Sequence, residues 1–311
     1  MSKYAILHPT TLLGKELKET LERSSGWQEI LLLSTDDDEV GTLTEVGGAA
    51  AMVQRYDPDS LDGLTAVFLC GPVASSRSIL AELPPDVTAI LLSPDATLDD
   101  GDPIVAGVNL QQAGAGGALV SPHPAVVLLA HLLHPLADLQ PQHAVATVLQ
   151  PASMEGDPGI EELVEQTRNI FTMGGRKPSP VFGSQLAFNL MPTPLAAEPL
   201  SAQLGAVLGR TSPAALQVIQ AGVFHSLSAS VHLHFGVETT PQAIRQALAA
   251  SPYLEVADDP KHLGPIDAAG SEKAIFGTVR KATDGGFWLW AVMDNLTRGG
   301  ALNAVEIAEA V

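Results

Sequence analysis

The sequence predicts an α/β protein whose first part is a doubly wound parallel sheet, followed by a second domain rich in strands. Short apolar runs alternate with stretches of helical period through the first part of the chain. The second half carries longer strand-like runs, among them Leu216–Val237 and Phe287–Met293. At 311 residues, the chain is long enough to bury a sizeable core and to form two domains.

The first half is predicted to alternate strand and helix. Leu13, Leu17 and Leu21 are at helical spacing, and Pro124 suits the first turn of a helix because the amide it lacks would have no intrahelical partner. The predicted buried strands are Tyr4–Leu7, Glu29–Leu33, Leu64–Cys70, Val87–Leu92 and Ala118–Val120, and the predicted helices are Leu12–Arg23, Ser75–Leu83 and Ala125–Leu133.

The second half is predicted to form a sheet with helices packed against it. The predicted strands are Ala144–Leu149, two within Leu216–Val237, Ile275–Val279 and Phe287–Met293, and the predicted helices are Glu161–Thr172 and Leu296–Ala310. A long connection rich in Pro and Gly, Lys177–Pro194, lies between them.

Composition excludes several classes of function. The net charge of −19 argues against nucleic acid or an anionic membrane as a partner, since both need basic patches. Cys70 is the single cysteine, so no intramolecular disulfide can form, and a buried structural thiol in the cytoplasm is predicted. The longest apolar run, Ala125–Leu133, is too short to span a membrane, and the apolar run in the first nine residues is too short for a signal peptide.

Three sequence blocks, in this order, carry a family resemblance: EELVEQTR at 161–168, QLAFNLMP at 185–192, and DNL with GALNA within 294–304. On these blocks the chain resembles the aspartate-semialdehyde dehydrogenase family, oxidoreductases of amino-acid biosynthesis, over essentially its whole length.

The resemblance implies a domain organisation and a partner. It places an NAD(P)-binding-like domain at 1–122, completed by the C-terminal helix at 295–311. The dehydrogenase-like dimerisation domain follows at 123–294, with a mixed, largely antiparallel sheet. It also implies a homodimer in which Lys177–Pro194 packs against the partner subunit.

The residues that perform the family reaction are replaced. The family has the turn N-P-N-C-[ST], in which cysteine is the nucleophile, and here that position holds Pro124. The position of the histidine base holds Leu227, and Gln220 replaces the arginine that grips the substrate carboxylate. Gln150 is retained and matches the glutamine that orients substrate. His225 is an alternative base, but nothing at Pro124 remains for it to activate.

The cofactor loop has also diverged, so no cofactor is expected. The family's glycine-rich loop aligns with His8–Gly14 and keeps only Gly14, although glycines let the backbone approach a pyrophosphate. Thr10 and Thr11 are the other residues that could contact a nucleotide. The arginine that binds the substrate phosphate is replaced by Leu98.

An alternative keeps some cofactor binding. Asp36 lies roughly 20 residues past the loop, the offset at which an acidic residue binds the ribose hydroxyl of NAD. Asn295 matches the family residue that meets the cofactor. These two residues predict an oxidoreductase with residual NAD binding and altered chemistry, whereas a solvated acidic loop is the other explanation for Asp36.

Histidine spacing does not predict a metal site. His131 and His134 are three apart on a helix, and His232 and His234 are two apart on a strand. Two ligands are fewer than a zinc site needs. A sheet with one apolar and one semi-polar face explains the strand pair.

The leading hypothesis is a catalytically inactive relative, a homodimeric scaffold or regulatory protein. The shared dimer surface also permits pairing with an active paralogue. A binding module for another metabolite in the vacated cleft is the remaining hypothesis.

Overall fold

The computed structural model describes residues 2–24, 27–172, 174, 178–209 and 214–311. Lys177, the start of the predicted Pro- and Gly-rich connection, lies outside these residues. The chain forms two compact units: unit 1 contains 1–127 and 299–311, and unit 2 contains 128–298. No helix within the described ranges is both long and apolar enough to cross a membrane.

Unit 1 is organised around a parallel sheet, as predicted. Among the described residues, seven strands pair in the order β5-β2-β1-β6-β7-β9-β8, all parallel, and β3 and β4 form a separate hairpin. The strands are β1 Ser2–Leu7, β2 Trp27–Ser34, β3 Leu43–Val46, β4 Ala49–Met52, β5 Gln54–Arg55, β6 Ala66–Leu69, β7 Thr88–Leu91, β8 Asp102–Pro103 and β9 Gly117–Val120.

Unit 2 contains a mixed sheet, which is the second part of the predicted fold. Its order is β11-β12-β10-β13-β16-β15-β14, with β10–β12 and β14–β15 parallel and the other pairs antiparallel. The strands are β10 Pro141–Gln150, β11 Leu190–Pro192, β12 Ala215–Ala221, β13 Leu227–Phe235, β14 Leu254–Val256, β15 Ala274–Lys281 and β16 Phe287–Met293.

The helices differ from the sequence prediction mainly at their starts. Glu161–Thr172 was too short, because the observed helix begins five residues earlier, where Pro158 is compatible with the first turn. Ala197–Leu208 and Pro241–Ala249 were not predicted. The helices are α1 Leu12–Arg23, α2 Val73–Leu80, α3 Pro124–Leu133, α4 Gly156–Phe171, α5 Ala197–Leu208, α6 Pro241–Ala249, α7 Pro265–Ala268 and α8 Asn303–Ala308.

The predicted C-terminal helix, Leu296–Ala310, is wrong in its first part. Thr297–Leu302 forms a π-helix, and α8 follows directly. The pair Gly299-Gly300 has low helix propensity and tolerates the widened turn. The segment starts at Asp294, whose Oδ1 accepts hydrogen bonds from the amides of Leu296 (2.8 Å) and Thr297 (2.9 Å).

The first turn of unit 1 depends on a close backbone approach. Thr11 caps α1, since its Oγ1 accepts a hydrogen bond from the Gly14 amide at 3.1 Å. A Cβ at residue 14 would lie 2.5 Å from the carbonyl oxygen of His8. Gly14 therefore lets α1 pack against the end of β1. Leu17 and Leu21 of the same helix are fully buried.

A single buried amide attaches the C-terminal segment to unit 1. Asn303 is 0% exposed. Its Nδ2 donates to the carbonyl of Ile104 (3.0 Å) and to Ser121 Oγ (2.9 Å), and its Oδ1 accepts from the amide of Ala106 (2.9 Å). All polar atoms of this side chain are thus used to join α8 to the ends of β8 and β9.

Replacing this amide tests its importance. We expect Asn303→Ala to lower the free energy of unfolding by about 2–4 kcal/mol, because it leaves buried donors and acceptors unpaired. Urea denaturation followed by circular dichroism measures the change. The control is Asn189→Ala at an exposed position, for which a loss within about 1 kcal/mol is expected. Equal losses for both variants would contradict this assignment.

Candidate functional site

The turn that would hold a nucleophile is built for structure. Ser121 to Pro124 are all buried, and Pro124 is the first residue of α3. His123 Nδ1 accepts a hydrogen bond from the Ala125 amide at 3.0 Å, so this ring caps the helix. Ser121 Oγ accepts from Asn303. Pro124 carries no nucleophilic atom, and its neighbours serve the fold.

The β1–α1 loop is filled by the side chain of His8 and its hydrogen-bond partners. His8 has a left-handed backbone (φ 58°) and is buried. Its Nδ1 lies 3.2 Å from Glu39 Oε2 and 3.2 Å from Ser34 Oγ, and its Nε2 lies 3.1 Å from Thr35 Oγ1. A Cβ on Gly71 would lie 2.4 Å from His8 Cδ2, so the ring also packs closely against the loop after β6.

The predicted nucleotide contacts in this loop are already engaged. The Thr10 hydroxyl donates to Glu39 Oε1. The Thr11 hydroxyl donates to the His8 carbonyl (2.9 Å) and accepts from Gly14 N–H. A dinucleotide needs free amides and positive potential at this helix start. The loop instead presents a carboxylate, Glu39, which the sequence analysis did not identify as part of this site.

Asp36 follows β2 at the same edge of the sheet, because β2 pairs with β1. The residue is exposed, its amide donates to Ser34 Oγ (2.9 Å), and its Oδ1 accepts from the Asp38 amide (2.9 Å). Asp37 forms an ion pair with Arg55. Hydrogen bonds through Ser34 therefore link Asp36 to His8, whose partner Glu39 also binds Thr10, within a largely acidic segment.

In unit 2, three strand ends bring Gln150, Gln220 and Leu227 together. Gln150 pairs with Gln220 across β10 and β12, and Leu149 pairs with Ser228, the residue after Leu227. Gln150 Nε2 donates to Gln220 Oε1, and Gln220 Nε2 donates to the Gln150 carbonyl, both at 3.2 Å. Leu227 is fully buried. The cluster offers neutral amides and an apolar side chain, with no base and no cation among these three residues.

Asn295 connects the start of β13 to the turn after β10. Its Oδ1 accepts from the Ser226 amide (2.9 Å), and its Nδ2 lies 3.1 Å from Ser153 Oγ. Ser226 has a left-handed backbone, with φ of 66°. Both polar atoms of the Asn295 side chain are engaged inside unit 2, so the geometry gives this residue a structural role.

Neither the single cysteine nor Leu98, at the position of the phosphate-binding arginine, provides a reactive or charged group. Cys70 is partly buried at the end of β6, where burial raises the pKa of its thiol and Glu39 raises it further. A thiol of this kind is a poor nucleophile, because the thiolate is the reactive form. Leu98 is exposed, and the nearby cation Arg77 binds Asp100 through two hydrogen bonds of 2.6 and 3.0 Å.

The helical histidine pair does not converge. His131 is buried and stacks on Tyr253, with ring centroids 4.8 Å apart and planes 10° apart, whereas His134 is exposed. Burial lowers the pKa of His131 to about 3, and the positive charge of Arg298 contributes. His131 therefore remains neutral as part of the core of unit 2.

The strand pair does converge, on a residue that the sequence analysis missed. Nε2 of His232 and Nε2 of His234 lie 3.3 and 3.4 Å from the same Oδ2 of Asp284. Asp284 lies in the turn before β16, and β16 pairs with β13. A carboxylate in a hairpin turn facing a His-x-His strand was the signal available in the sequence.

The comparisons place this architecture among known proteins. Residues 133–298 match the model of the semialdehyde dehydrogenase dimerisation domain. The chain belongs to the aspartate-semialdehyde dehydrogenase family, which confirms the predicted resemblance and fold.

Individual relatives match over almost the full length. A USG-1 protein homolog of Azotobacter vinelandii is 28% identical, covering 98% of this chain and 96% of the relative. An aspartate-semialdehyde dehydrogenase of Synechocystis is 27% identical, covering 99% and 96%. A solved structure described as a probable aspartate-semialdehyde dehydrogenase from Pseudomonas aeruginosa has a TM-score of 0.90 at 26% identity, covering 99% of this chain and 97% of that one.

The pKa of His131 leads to a prediction about stability. The folded value is about 3, and an unfolded histidine titrates near 6.5, so below that pH the unfolded chain binds one more proton. The free energy of unfolding should therefore fall as pH drops from about 6.5 toward 3, by at most ~1.4 kcal/mol per pH unit from this group. We expect His131→Phe to remove that component in urea melts at several pH values. His143→Phe, at an exposed position that does not contribute to the shift, should leave the slope unchanged.

Proposed function

We propose that this protein is a catalytically inactive member of its family that acts as a homodimeric scaffold or regulatory protein in the cytoplasm. The observation that carries the proposal is the pair of residues at the positions of nucleophile and base. These are Pro124 and Leu227, both buried in the packing of their own units. Neither side chain can attack a carbonyl or accept a proton.

The chemistry of the family reaction explains why the residues at these two positions support the proposal. Attack of cysteine on an aldehyde needs a thiolate and a base that generates it. Loss of a nucleophile or a base alone lowers kcat by on the order of 10⁶. In this chain both positions have changed, and Gln220 supplies a neutral amide where the resemblance expects a cation. Retained Gln150 could orient a substrate but cannot replace these functions.

The residues of the β1–α1 loop do not fit a dinucleotide. The His8 ring lies against Gly71, and Glu39 places a carboxylate among the hydroxyls that would face phosphate. Like charges at hydrogen-bonding distance repel strongly in a partly buried site. We therefore expect no resident cofactor and derive no reaction step through one. Exposed Asp36 supports the alternative, an oxidoreductase with residual NAD binding and altered chemistry, whereas Asn295 is engaged inside unit 2.

Cofactor binding and turnover test the proposal together. We expect phosphate-dependent reduction of NADP with aspartate semialdehyde to remain at background, and calorimetry with NAD or NADP at millimolar concentration to show no saturable heat. Saturable NAD binding that is lost in Asp36→Asn, without turnover, would favour the alternative. Robust turnover by the purified protein would overturn the proposal.

An exposed apolar patch in unit 2 supports the homodimer. Phe171 and Phe188 are 75% and 70% exposed and meet edge to face with ring centroids 5.9 Å apart, and Leu190 is 59% exposed. Contiguous apolar surface of this kind marks interaction sites. The family model that unit 2 matches is a dimerisation domain. An active paralogue with the same surface would pair with this chain in the same way.

Disrupting this patch tests the assembly. We expect the wild-type protein to sediment as a dimer at micromolar concentration, and the double variant Phe171→Ser with Phe188→Ser to shift toward monomer by at least tenfold in dissociation constant, because apolar area is lost from the interface. Leu43→Ser, at a residue of unit 1 that is 75% exposed, is the control and should stay dimeric. A monomeric wild type would contradict the homodimer.

A further inference from the structure

Three side chains converge on the semi-polar face of the sheet in unit 2. His232 and His234 alternate with buried residues on β13, so both rings project from the same face. Asp284 reaches the same point from the turn between β15 and β16. One ligand atom from each of the three side chains lies within 4.8 Å of the others.

The distances match the coordination shell of a metal ion. Each Nε2 lies 3.3 or 3.4 Å from Asp284 Oδ2. Two ligands bound tetrahedrally to zinc at about 2.0–2.1 Å are separated by roughly 3.3–3.4 Å. Two edges of the tetrahedron are therefore present. The ligand atoms of the third edge lie within 4.8 Å of each other, and the His234 side chain is 36% exposed.

Gly286 keeps the space between the ligands open. A Cβ at this residue would lie 2.6 Å from His232 Nε2 and 3.0 Å from His234 Nε2. Its amide donates to Asp284 Oδ1 at 3.0 Å, which turns the other oxygen toward the rings.

The surroundings orient one ring and leave the other side accessible. Trp288 packs on His232, with ring centroids 4.6 Å apart, and the His232 side chain is only 12% exposed. Asp284 is 55% exposed. A metal site with three protein ligands and one accessible side is an open site, in which water completes the coordination shell.

We propose that His232, His234 and Asp284 bind a divalent transition-metal ion, with Zn²⁺ the best match to two imidazoles and one carboxylate. Oxygen-selective ions such as Mg²⁺ fit poorly, because two of the three ligands are imidazoles. The proposal concerns the sheet face of unit 2 and is independent of the proposed loss of catalysis. The competing description is an ion pair between Asp284 and protonated histidines.

Metal titration of the intact protein, purified without a histidine tag, tests the site. We expect one Co²⁺ per chain by calorimetry, with a visible spectrum of a low-symmetry, four- or five-coordinate ion, and displacement by Zn²⁺. In NMR spectra, the imidazole signals of His232 and His234 should change together on addition of Zn²⁺. Absence of saturable Zn²⁺ or Co²⁺ binding below millimolar concentration would overturn the site and leave the ion pair as the description.

Variants distinguish this site from adventitious binding. His232→Ala and Asp284→Asn should each weaken binding at least about 100-fold, since loss of even an outer-shell partner costs 10–100-fold. Gly286→Ala keeps every ligand and should weaken binding at least about tenfold by filling the site. Its control is Gly264→Ala, where a Cβ meets nothing within 4 Å. Thermal melts confirm folding of each variant.

A second control uses another histidine–carboxylate pair. His262 Nδ1 lies 2.7 Å from Asp259 Oδ2 on the surface of unit 2. Asp259→Asn should leave the affinity and the one-to-one stoichiometry unchanged. Loss of binding in this variant, with binding retained in Asp284→Asn, would assign the metal to the exposed pair and overturn the proposal.

Discussion

The structure depends on one constraint: the C-terminal segment, residues 299–311, packs into unit 1. Unit 1 consists of residues 1–127 and 299–311, so its core is completed only by a segment that follows all of unit 2 in the chain. Ala304, Val305 and Ile307 cover one face of that sheet, and Asn303 joins them to β8 and β9. Loss of the Asn303 side-chain amide would leave the Ala106 amide and the Ile104 carbonyl without this partner.

The residues at the positions that the family resemblance marks as reactive have packing roles in this structure. Pro124 begins a buried helix, Leu227 begins a buried strand, and Gln150 and Gln220 hydrogen-bond to each other. In the first loop, His8 and its partners form a network. This pattern motivates a role in assembly.

Much of the architecture was predictable from periodicity, and the reasons for the failures are physical. Fully buried parallel strands such as β6 and β7 are continuous apolar runs, and α1 has a capping threonine and leucines at helical spacing. Thr240 and Pro241 are equivalent signals for α6 that were overlooked. Helical periodicity does not distinguish the π-helix at Thr297–Leu302 from an α-helix, although its Gly299-Gly300 pair has low helix propensity.

The sequence alone determined the two-sheet class of fold and the family, because local patterns and motif positions carry that information. Through the family resemblance it also places Pro124 and Leu227 at the positions of nucleophile and base. Only the tertiary structure decided that Glu39 enters the first loop and that Asp284 meets His232. Those contacts join residues 31 and 52 positions apart, beyond any helical or strand period. Sheet pairing and turn geometry bring such residues together, and single-sequence patterns do not record either one.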